Sequence, residues 1–310
     1  MYALANKKVW VAGHNGMVGR ACCAALMRQN TEVLTAPRDT LDLTRQDQVE
    51  KWLADTKPDA VVVCAAQVGG ILANNTYPVE FLYTNIMIAS NIIRTAHEVG
   101  VEKLLFLGSS CAYPKDAAQP IAEAALLSGA LEPTNQWYAI AKIAGIKLCQ
   151  AYRTQYGDDF ISVMPTNLYG THDNFDLATS HVLPALLHKC HQAKAAGAAN
   201  MEVWGSGNPK REFMYVDDCA EGIVFLLQNY SADAPINLGV GRDVSITQLA
   251  KAIKDVVGFT GDLTFNASKP DGSPRKLLDV SALTQLGWQA KTDLHTGLKH
   301  TYEWYCNNIA

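Results

Sequence analysis

Five short and almost entirely apolar runs alternate with helical patterns in the first half of the chain. Each run is too short for a helix, and most are rich in β-branched or large aliphatic residues, as in strands that are buried on both faces. The runs lie at residues 9–12, 32–34, 60–64, 104–107 and 161–164. Because helical patterns connect them, the sequence predicts an α/β fold with a doubly wound parallel sheet.

After residue 165 the predicted elements are shorter and less regular. Single cores seldom grow beyond about 250–300 residues, and the chain has 310. A large sheet domain and a smaller mixed α/β lobe are therefore expected. The later elements are a helix over 181–195, strands near 202–204 and 213–215, a helix over 218–228, and helices that begin at Ser245 and Asp293.

Two signals locate helix ends in the first half. Thr44, followed three residues later by Asp47, resembles a capping box for a helix that continues through Trp52. Gly100 is placed to end a long helix that begins near Tyr83. Both helices are expected to cover the predicted sheet.

Composition argues against several classes of partner. The chain has 26 basic and 30 acidic residues, a formal charge of −4, and no run of like charges for nucleic acid or an anionic membrane. Residues 1–8 lack the apolar stretch of a signal peptide, and no window approaches the roughly 18 apolar residues that cross a bilayer. Eight cysteines without Cys-x-x-Cys spacing predict neither a metal site nor a disulfide framework. We expect a cytoplasmic protein.

A glycine-rich turn follows the first predicted strand and opens a helical pattern. Glycines at this spacing let the chain turn tightly and bring backbone amides close to a pyrophosphate at a helix N-terminus. The alternative is a strand-to-helix turn without a ligand, which the surrounding βαβ pattern disfavours. The turn has the sequence GHNGMVG, and we expect it to bind a dinucleotide through Gly13, Asn15, Gly16, Met17, Val18 and Gly19.

The end of the second predicted strand bears on the choice of cofactor. Arg38 stands where NAD enzymes usually place an acid against the ribose 2′-hydroxyl. Because a guanidinium pairs with a 2′-phosphate, the sequence favours NADP(H). Asp42 is either an acceptor for the adenine amine or a solvated acid before a helix. We expect residues 1–165 to form an NADP-binding Rossmann domain, to which about 212–240 returns, and 166–310 to form mainly a substrate-binding domain.

Tyr138 and Lys142 lie four residues apart, on one face of a predicted helix. Reduction of a ketone needs a proton at oxygen, and a nearby cation is expected to lower the phenol pKa from about 10. Such pairs also occur by chance on helix surfaces. Here the pair follows a dinucleotide fold and the segment GSSCAYP at 108–114. This segment ends the fourth strand, where ligands bind in such sheets.

Together the glycine turn, the serine-bearing segment and Tyr-x-x-x-Lys resemble the extended short-chain dehydrogenases. Longer stretches resemble the GDP-L-fucose synthases, which are GDP-4-keto-6-deoxy-mannose 3,5-epimerase/4-reductases. The resemblance covers nearly the whole chain and implies an NADP(H)-dependent enzyme acting on a GDP-sugar. The stretches are VGGILANN at 68–75, LFLGSSC at 105–111, EPTN at 132–135, MPTNLYG at 164–170, VWGSG at 203–207 and KPDG at 269–272.

The resemblance also implies roles for individual residues. It assigns Ser109, Tyr138 and Lys142 to reduction, and Cys111 and His181 to epimerisation as acid and base. The protons on C3 and C5 flank the C4 ketone, so holding its oxygen stabilises an enolate. A thiol with a pKa near 8.5 and an imidazole near 6.5 suit proton transfer at carbon. Without the resemblance, the thiol is more simply a buried apolar group and the imidazole a helix cap.

Further binding positions follow from the same resemblance. Cofactor contacts are expected from Lys142, Pro165, Asn167, Leu168 and His181. Substrate contacts are expected from Asn167, Lys189, Trp204, Arg211, Asp271 and Lys276.

The chain departs from the family at two positions near the expected cofactor. Asn15 replaces a common arginine and Gln67 a common lysine. Both changes remove positive charge, so Arg38 becomes the main candidate for the 2′-phosphate, with Arg20 as the alternative. We expect a preference for NADPH that is narrower than in relatives with the arginine.

Two other functions remain open at this point. A GDP-colitose synthase, which acts on a 3,6-dideoxy 4-keto sugar, needs nearly the same groups. A non-catalytic NADP-binding sensor is disfavoured by the intact Tyr138 and Lys142. By analogy with the family, the apolar helices over 83–100 and 137–157 are expected to pair in a homodimer.

Overall fold

The computed structural model of the protein describes residues 1–269 and 271–310. Pro270, part of the motif at 269–272, lies outside the described residues. In chain order the described strands are β1 (Lys8–Ala12), β2 (Glu32–Leu34), β3 (Ala60–Val63), β4 (Lys103–Leu107), β5 (Asp159–Pro165), β6 (Asn167–Tyr169), β7 (Asn200–Trp204), β8 (Lys210–Tyr215), β9 (Ile236–Leu238), β10 (Asp243–Ser245), β11 (Asp262–Asn266) and β12 (Arg275–Lys276).

Helices connect most of these strands. A π-helical turn over Glu80–Thr84 leads into the fourth helix, and 3₁₀ turns lie at Ser110–Ala112 and Glu123–Ala125. The described α-helices are α1 (Met17–Met27), α2 (Gln46–Thr56), α3 (Ile71–Thr76), α4 (Asn85–Glu98), α5 (Gln136–Tyr156), α6 (Val182–Ala195), α7 (Val216–Asn229), α8 (Ile246–Val257), α9 (Ser281–Gln285) and α10 (Leu294–Asn308).

Six parallel strands form the large sheet, in the order β2-β1-β3-β4-β5-β9. Every residue of β3 and β4 is buried because helices cover both faces. On one face Leu104 and Phe106 belong to a core with α2, α4 and α5. On the other, Leu105 and Leu107 belong to a core with α1 and α7. The predicted doubly wound parallel sheet is confirmed.

The second half of the chain builds a smaller, mixed layer. Strand β8 pairs antiparallel with β10 and parallel with β6 and β12, while β7 and β11 form a separate parallel pair. Helices α6, α8 and α10 surround a core that includes Leu187, Leu249 and Tyr305. Strand β9 and helix α7, however, join the large sheet, beside β5 and α1 respectively. No helix in the described ranges is long and apolar enough to cross a bilayer.

The capping box expected from Thr44 and Asp47 is wrong. Helix α2 starts after Arg45, and no side chain forms a capping hydrogen bond there. The backbone amide and hydroxyl of Thr44 instead donate to Oδ1 of Asp42, at 2.9 and 2.8 Å. A local turn at Asp42 therefore uses the threonine before the helix begins.

Other predicted helix ends agree with the structure. Ser245 forms a capping box with Gln248 at the start of α8. Asp293 caps α10 by accepting a hydrogen bond from the backbone amide of Thr296. Gly100 follows α4 in the left-handed region, with φ of +76°. These signals are local in sequence, which explains why they were predictable.

Candidate active site

The glycine turn between β1 and α1 has the shape expected of a pyrophosphate cradle. Gly13 has φ of +91°, and a Cβ there would lie 2.6 Å from the backbone nitrogen of Ala65. A Cβ on Gly19 would collide with the carbonyl oxygen of Gly13. Gly16 precedes α1 without a side-chain cap, so the first amides of the helix remain available to an anion. These residues fit a dinucleotide.

The polar side chains around the glycine turn differ in whether they already form hydrogen bonds within the protein. Arg20 donates from Nε to the carbonyl oxygen of Asn15 at 3.0 Å. Arg38 is exposed, and its guanidinium makes no hydrogen bond or ion pair with the described residues. The hydrogen bonds from Thr44 lower the pKa of Asp42 and use one of its oxygens. Arg38 is therefore freer than Arg20 to meet a phosphate.

Ser109, Tyr138 and Lys142 meet at the carboxyl end of β4. Ser109 begins the 3₁₀ turn after that strand, and its Oγ accepts a hydrogen bond from the amide of Cys111 at 3.2 Å. Lys142 is 3% exposed and donates from Nζ to the carbonyl oxygen of Leu107 at 2.6 Å. Its Nζ lies 5.7 Å from the ring centre of Tyr138. The turn and the first two turns of α5 thus hold a hydroxyl, a phenol and an ammonium together.

Loss of hydration dominates the acid–base properties of the phenol and the ammonium. Burial lowers the pKa of Lys142 to about 8, and Cys64 acts against this shift. Burial raises the pKa of Tyr138, Cys111 adds to the rise, and a hydrogen bond with Ser109 acts against it. The expectation that Lys142 leaves the phenol pKa below its ordinary value is therefore wrong, because burial outweighs the other effects.

Cys111 and His181 both lie in the range of one ammonium group, that of Lys276. The Nζ of Lys276 is 3.7 Å from Sγ of Cys111. His181 remains exposed to solvent, and partial loss of hydration and then the charge of Lys276 lower the pKa of its imidazole. His181 occupies the cap position of α6, but its imidazole forms no capping hydrogen bond there. The structure thus brings the thiol of Cys111 into contact with the ammonium of Lys276, whose charge also reaches His181. The sequence had indicated Lys276 only as a substrate contact.

Trp204 forms a second cluster in the smaller layer, together with two lysines. It is 49% exposed at the end of β7. The Nζ of Lys189 lies 4.5 Å from the indole ring, and that of Lys269 lies 5.0 Å from it. Burial and the neighbouring Lys269 lower the pKa of Lys189, while Glu202 raises it. Lys269 was not among the predicted contacts, although it stands in the motif at 269–272.

The other expected substrate residues are held by nearby backbone. Asn167 donates from Nδ2 to the carbonyl oxygen of Glu212 at 2.8 Å. Arg211 lies beside Lys276 in the register of β8 and β12, and burial lowers the pKa of its guanidinium. Asp271 accepts hydrogen bonds at 2.7 Å from the amide and the hydroxyl of Ser206. Asp271 therefore fixes the loop after β7 beside Trp204.

The remaining expected contacts, Pro165 and Leu168, lie where the chain passes from the large sheet to the smaller layer, and Gln67 follows the third strand. Pro165 ends β5, and Leu168 is central in β6. The backbone of Gln67 exchanges hydrogen bonds with the side chain of Asn85, at 2.8 and 3.0 Å. The side chain of Gln67 itself is exposed.

Glu212 is a buried acid that sequence reasoning missed. It is fully buried, and its carboxylate accepts hydrogen bonds from the amides of Val240, Gly241 and Leu278, at 2.6, 2.8 and 2.9 Å. Burial raises its pKa, against the effect of these amides. The carboxylate thus links β8 to the chain at 240–241 and at 278, next to Arg211 and Asn167. The strand at residues 210–215 has the sequence KREFMY, in which Glu212 is one of three consecutive charged residues, so the sequence gives no sign that this acid is the buried one.

Comparison with known proteins places the chain among nucleotide-sugar enzymes. Residues 9–241 match the model of the NAD dependent epimerase/dehydratase family. The chain is 57% identical to GDP-L-fucose synthase of Sinorhizobium fredii, over 100% of this chain and 99% of that protein. It is 37% identical to GDP-L-colitose synthase of Yersinia pseudotuberculosis, over 97% and 98%. A structure of a GDP-L-fucose synthetase from Naegleria fowleri bound to NADP superposes with a TM-score of 0.90 at 30% identity, over 99% and 96%. The chain therefore belongs to the NAD dependent epimerase/dehydratase family.

Proposed function

We propose that the protein converts GDP-4-keto-6-deoxy-D-mannose into GDP-L-fucose, by epimerisation at C3 and C5 and NADPH-dependent reduction at C4. One observation carries the proposal: a hydroxyl, a phenol and an ammonium for reduction lie at the same sheet edge as Cys111, His181 and Lys276. The 57% identity to a GDP-L-fucose synthase favours this sugar over the 3,6-dideoxy sugar of the colitose enzyme, at 37%.

When bound at the glycine turn, NADPH would supply the hydride for reduction at C4. The open amides at the start of α1 and the glycine turn suit its pyrophosphate. Arg38 is free to pair with the 2′-phosphate, and Asp42 keeps one oxygen for the adenine amine. The remaining proposed contacts are Lys142, Pro165, Asn167, Leu168 and His181. We assign cofactor binding to residues 1–165 with about 212–240, and sugar binding mainly to 166–310.

In the reduction step, Tyr138 acts as the proton donor to the C4 oxygen. Its raised pKa keeps the phenol protonated at neutral pH, as an acid requires. Ser109 holds the same oxygen through its hydroxyl. Lys142 keeps its ammonium close to the phenol ring, where it stabilises the negative charge that develops on the phenol oxygen.

In the epimerisation steps, Cys111 and His181 remove and return the protons at C3 and C5. Ser109 and Tyr138 stabilise the enolate by hydrogen bonding to the C4 oxygen. The ammonium of Lys276 lies 3.7 Å from the sulfur of Cys111 and can donate a hydrogen bond to it. The lowered pKa of His181 favours the neutral imidazole, which can accept a proton. The assignment of acid and base at each carbon stays open.

The nucleotide half of the substrate is assigned to the smaller layer. Trp204 offers an exposed indole face, and Lys189 adds positive charge beside it. Arg211 supplies a planar guanidinium suited to a diphosphate. Asn167, Asp271 and Lys276 complete the proposed set of substrate contacts.

We further propose a homodimer and a cytoplasmic location. The turn before α4 and the outer face of α5 expose Tyr83, Trp137 and Ile140, and apolar patches of this kind mark protein interfaces. A second copy of the chain is the proposed occupant of this surface.

The cysteines support the proposed cytoplasmic location. All eight, each among the described residues, are free thiols, as in proteins of reducing compartments.

The experiment that tests the proposed function is product identification. Purified protein is incubated with NADPH and GDP-4-keto-6-deoxy-D-mannose, and the product is identified by NMR. GDP-L-fucose together with stoichiometric NADPH oxidation is expected. Turnover only with the 3,6-dideoxy 4-keto sugar would identify the colitose reaction instead, and binding of NADPH without turnover of either sugar would overturn the enzymatic assignment.

A further inference from the structure

The loop that ends at His181 packs against the turn formed by Gly69 and Gly70. The amide of Gly70 donates to the carbonyl oxygen of Thr179 at 2.9 Å. A Cβ on Gly70 would lie 2.6 Å from the carbonyl oxygen of Ser180, closer than real side chains approach. The φ of Gly70 is −66°, which any residue adopts. Glycine is therefore needed at this position because no space is left for a side chain, and not because of the backbone conformation.

The same loop is held internally by Asp176. One of its oxygens, Oδ1, accepts from the amides of Ala178 and Thr179 at 3.0 and 3.1 Å, and from the Thr179 hydroxyl at 3.0 Å. Phe175 is 5% exposed and packs edge-on against Tyr305 of α10, with ring centres 4.9 Å apart. The segment that precedes α6 is thus fixed by its own hydrogen bonds and by the last helix.

The neighbouring glycine of the turn contacts the reduction side. A Cβ on Gly69 would lie 3.0 Å from Cβ of Ala73 and 3.1 Å from Cζ of Phe81. The ring of Phe81 meets that of Tyr138 edge-on, with ring centres 6.4 Å apart. Gly69 therefore lies against Phe81, which packs on Tyr138, whereas Gly70 lies against the loop that ends at His181.

We propose that Gly70 and Asp176 are positioning residues that hold His181 in place for proton transfer at the sugar carbons. This inference rests on the function proposed above and deepens it. A methyl group at Gly70 forces the Ser180 carbonyl, adjacent to His181, to move. Since a misplacement of about 1 Å can cost on the order of 100-fold in rate, a small shift of the loop is sufficient to impair epimerisation.

The primary test is Gly70→Ala, assayed in D₂O with NADPH and GDP-4-keto-6-deoxy-D-mannose. Two quantities are measured: the rate of deuterium incorporation at C3 and C5, and the ratio of unepimerised to epimerised reduced sugar. Incorporation is expected to fall at least about 10-fold, and the ratio is expected to rise. A loss of folded protein would lower all rates together and leave the ratio unchanged.

Gly69→Ala is the matched variant on the other side of the turn. Its new methyl group meets the side chains of Ala73 and Phe81, and the latter supports Tyr138. Reduction is therefore expected to slow more than deuterium incorporation, so the product ratio should not shift toward unepimerised sugar. If Gly69→Ala raised the ratio as much as Gly70→Ala does, the assignment of Gly69 to the Tyr138 side and of Gly70 to the His181 side would be contradicted.

Asp176 gives an independent test that does not depend on the folding of Gly70→Ala. Asp176→Ala is expected to reduce incorporation and raise the ratio, whereas Asp176→Asn should restore both, because its amide oxygen can accept the same hydrogen bonds. Asp59→Ala removes a carboxylate that accepts a hydrogen bond from the amide of Lys8 at 2.7 Å, at the amino end of β1 and away from the loop, and is expected to leave the ratio unchanged.

The outcomes separate the positioning role from the proposed function. Wild-type protein that incorporates no deuterium would overturn the epimerase function itself. Normal wild-type incorporation, with unchanged ratios in folded Gly70→Ala and Asp176→Ala, would overturn the positioning role alone. An equal change in Asp59→Ala would also overturn it, since the effect would then reflect general loss of stability.

Discussion

The residues proposed for reduction and those proposed for epimerisation are held in place in different ways. Tyr138 and Lys142 are one turn apart on α5, and Lys142 is tied to Leu107 of β4 by a 2.6 Å hydrogen bond. One helix and one strand therefore fix the reduction side. On the epimerisation side, Cys111 and Lys276 are 165 residues apart in the chain, and the imidazole stands on a loop before α6.

The two proposed reactions therefore depend on different parts of the fold. Tyr138 and Lys142 lie on one helix, and Lys142 is buried against β4, so the spacing of the two groups follows from local sequence. The epimerising groups depend on contacts between the large sheet and the smaller layer. Variants that disturb the smaller layer should therefore slow epimerisation more than reduction.

The largest expected effect is that of Tyr138→Phe. The variant keeps the ring that packs against Phe81 but lacks the proton donor. NADPH oxidation with the keto sugar is expected to fall by at least about 100-fold. Steady-state kinetics measures the loss, and circular dichroism verifies the fold. Turnover near that of the wild type in a folded variant would remove Tyr138 from the reduction step.

A loss of about 100-fold in deuterium incorporation at C3 and C5 is expected for Cys111→Ser or His181→Ala, on the scale of a positioned acid or base. Hydride transfer should fall less, so that unepimerised reduced sugar accumulates. NMR of the product formed in D₂O measures both effects. Incorporation at the wild-type rate in both variants would refute their assignment to epimerisation.

The next effect concerns the cofactor and the reduction side alone. A charge-assisted contact contributes about 1.5–3 kcal/mol, or about 10-fold to 150-fold in affinity. Arg38→Ala is expected to remove most of the preference for NADPH over NADH, measured as the ratio of kcat/KM values. Arg20→Ala is the control, since its side chain already bonds to the carbonyl of Asn15. An unchanged ratio in Arg38→Ala would eliminate Arg38 as the selector.

The smallest expected effect is a change of stability with pH at Lys142. Its folded pKa of about 8 lies below the ordinary lysine value of about 10.4. Between these values the unfolded state binds more protons, so this group's contribution to stability rises with pH. From about pH 7 to about pH 9.5, the wild type should therefore gain stability relative to Lys142→Met, as seen in urea midpoints. A difference independent of pH would show that burial of the ammonium is not costly.

The sequence predicted the large sheet well because its signals are local. Continuous apolar runs such as Ala60–Val63, and the glycine turn after β1, depend on near neighbours in the chain. The Asp42 turn was missed because Thr44 had two possible partners within a few residues. The Thr44 hydroxyl donates to Asp42 and does not cap α2.

The candidate site was predictable in its residue types but not in its contacts. Tyr138 and Lys142 could be paired from helical spacing alone, whereas the direction of the phenol pKa depended on burial that spacing does not reveal. The contact of Lys276 with Cys111 and the buried carboxylate of Glu212 join distant segments. Such contacts follow from the packing of the second half of the chain, for which the sequence has no short-range signal.

Deuterium incorporation by the wild-type protein is the most direct test of two chemistries in one cleft. The protein is incubated with NADPH and GDP-4-keto-6-deoxy-D-mannose in D₂O, and the reduced sugar is examined by NMR. The proposed mechanism predicts GDP-L-fucose with deuterium at both C3 and C5. A reduced product with protium retained at both carbons and the original configuration would contradict it, because the cleft would then support reduction without epimerisation.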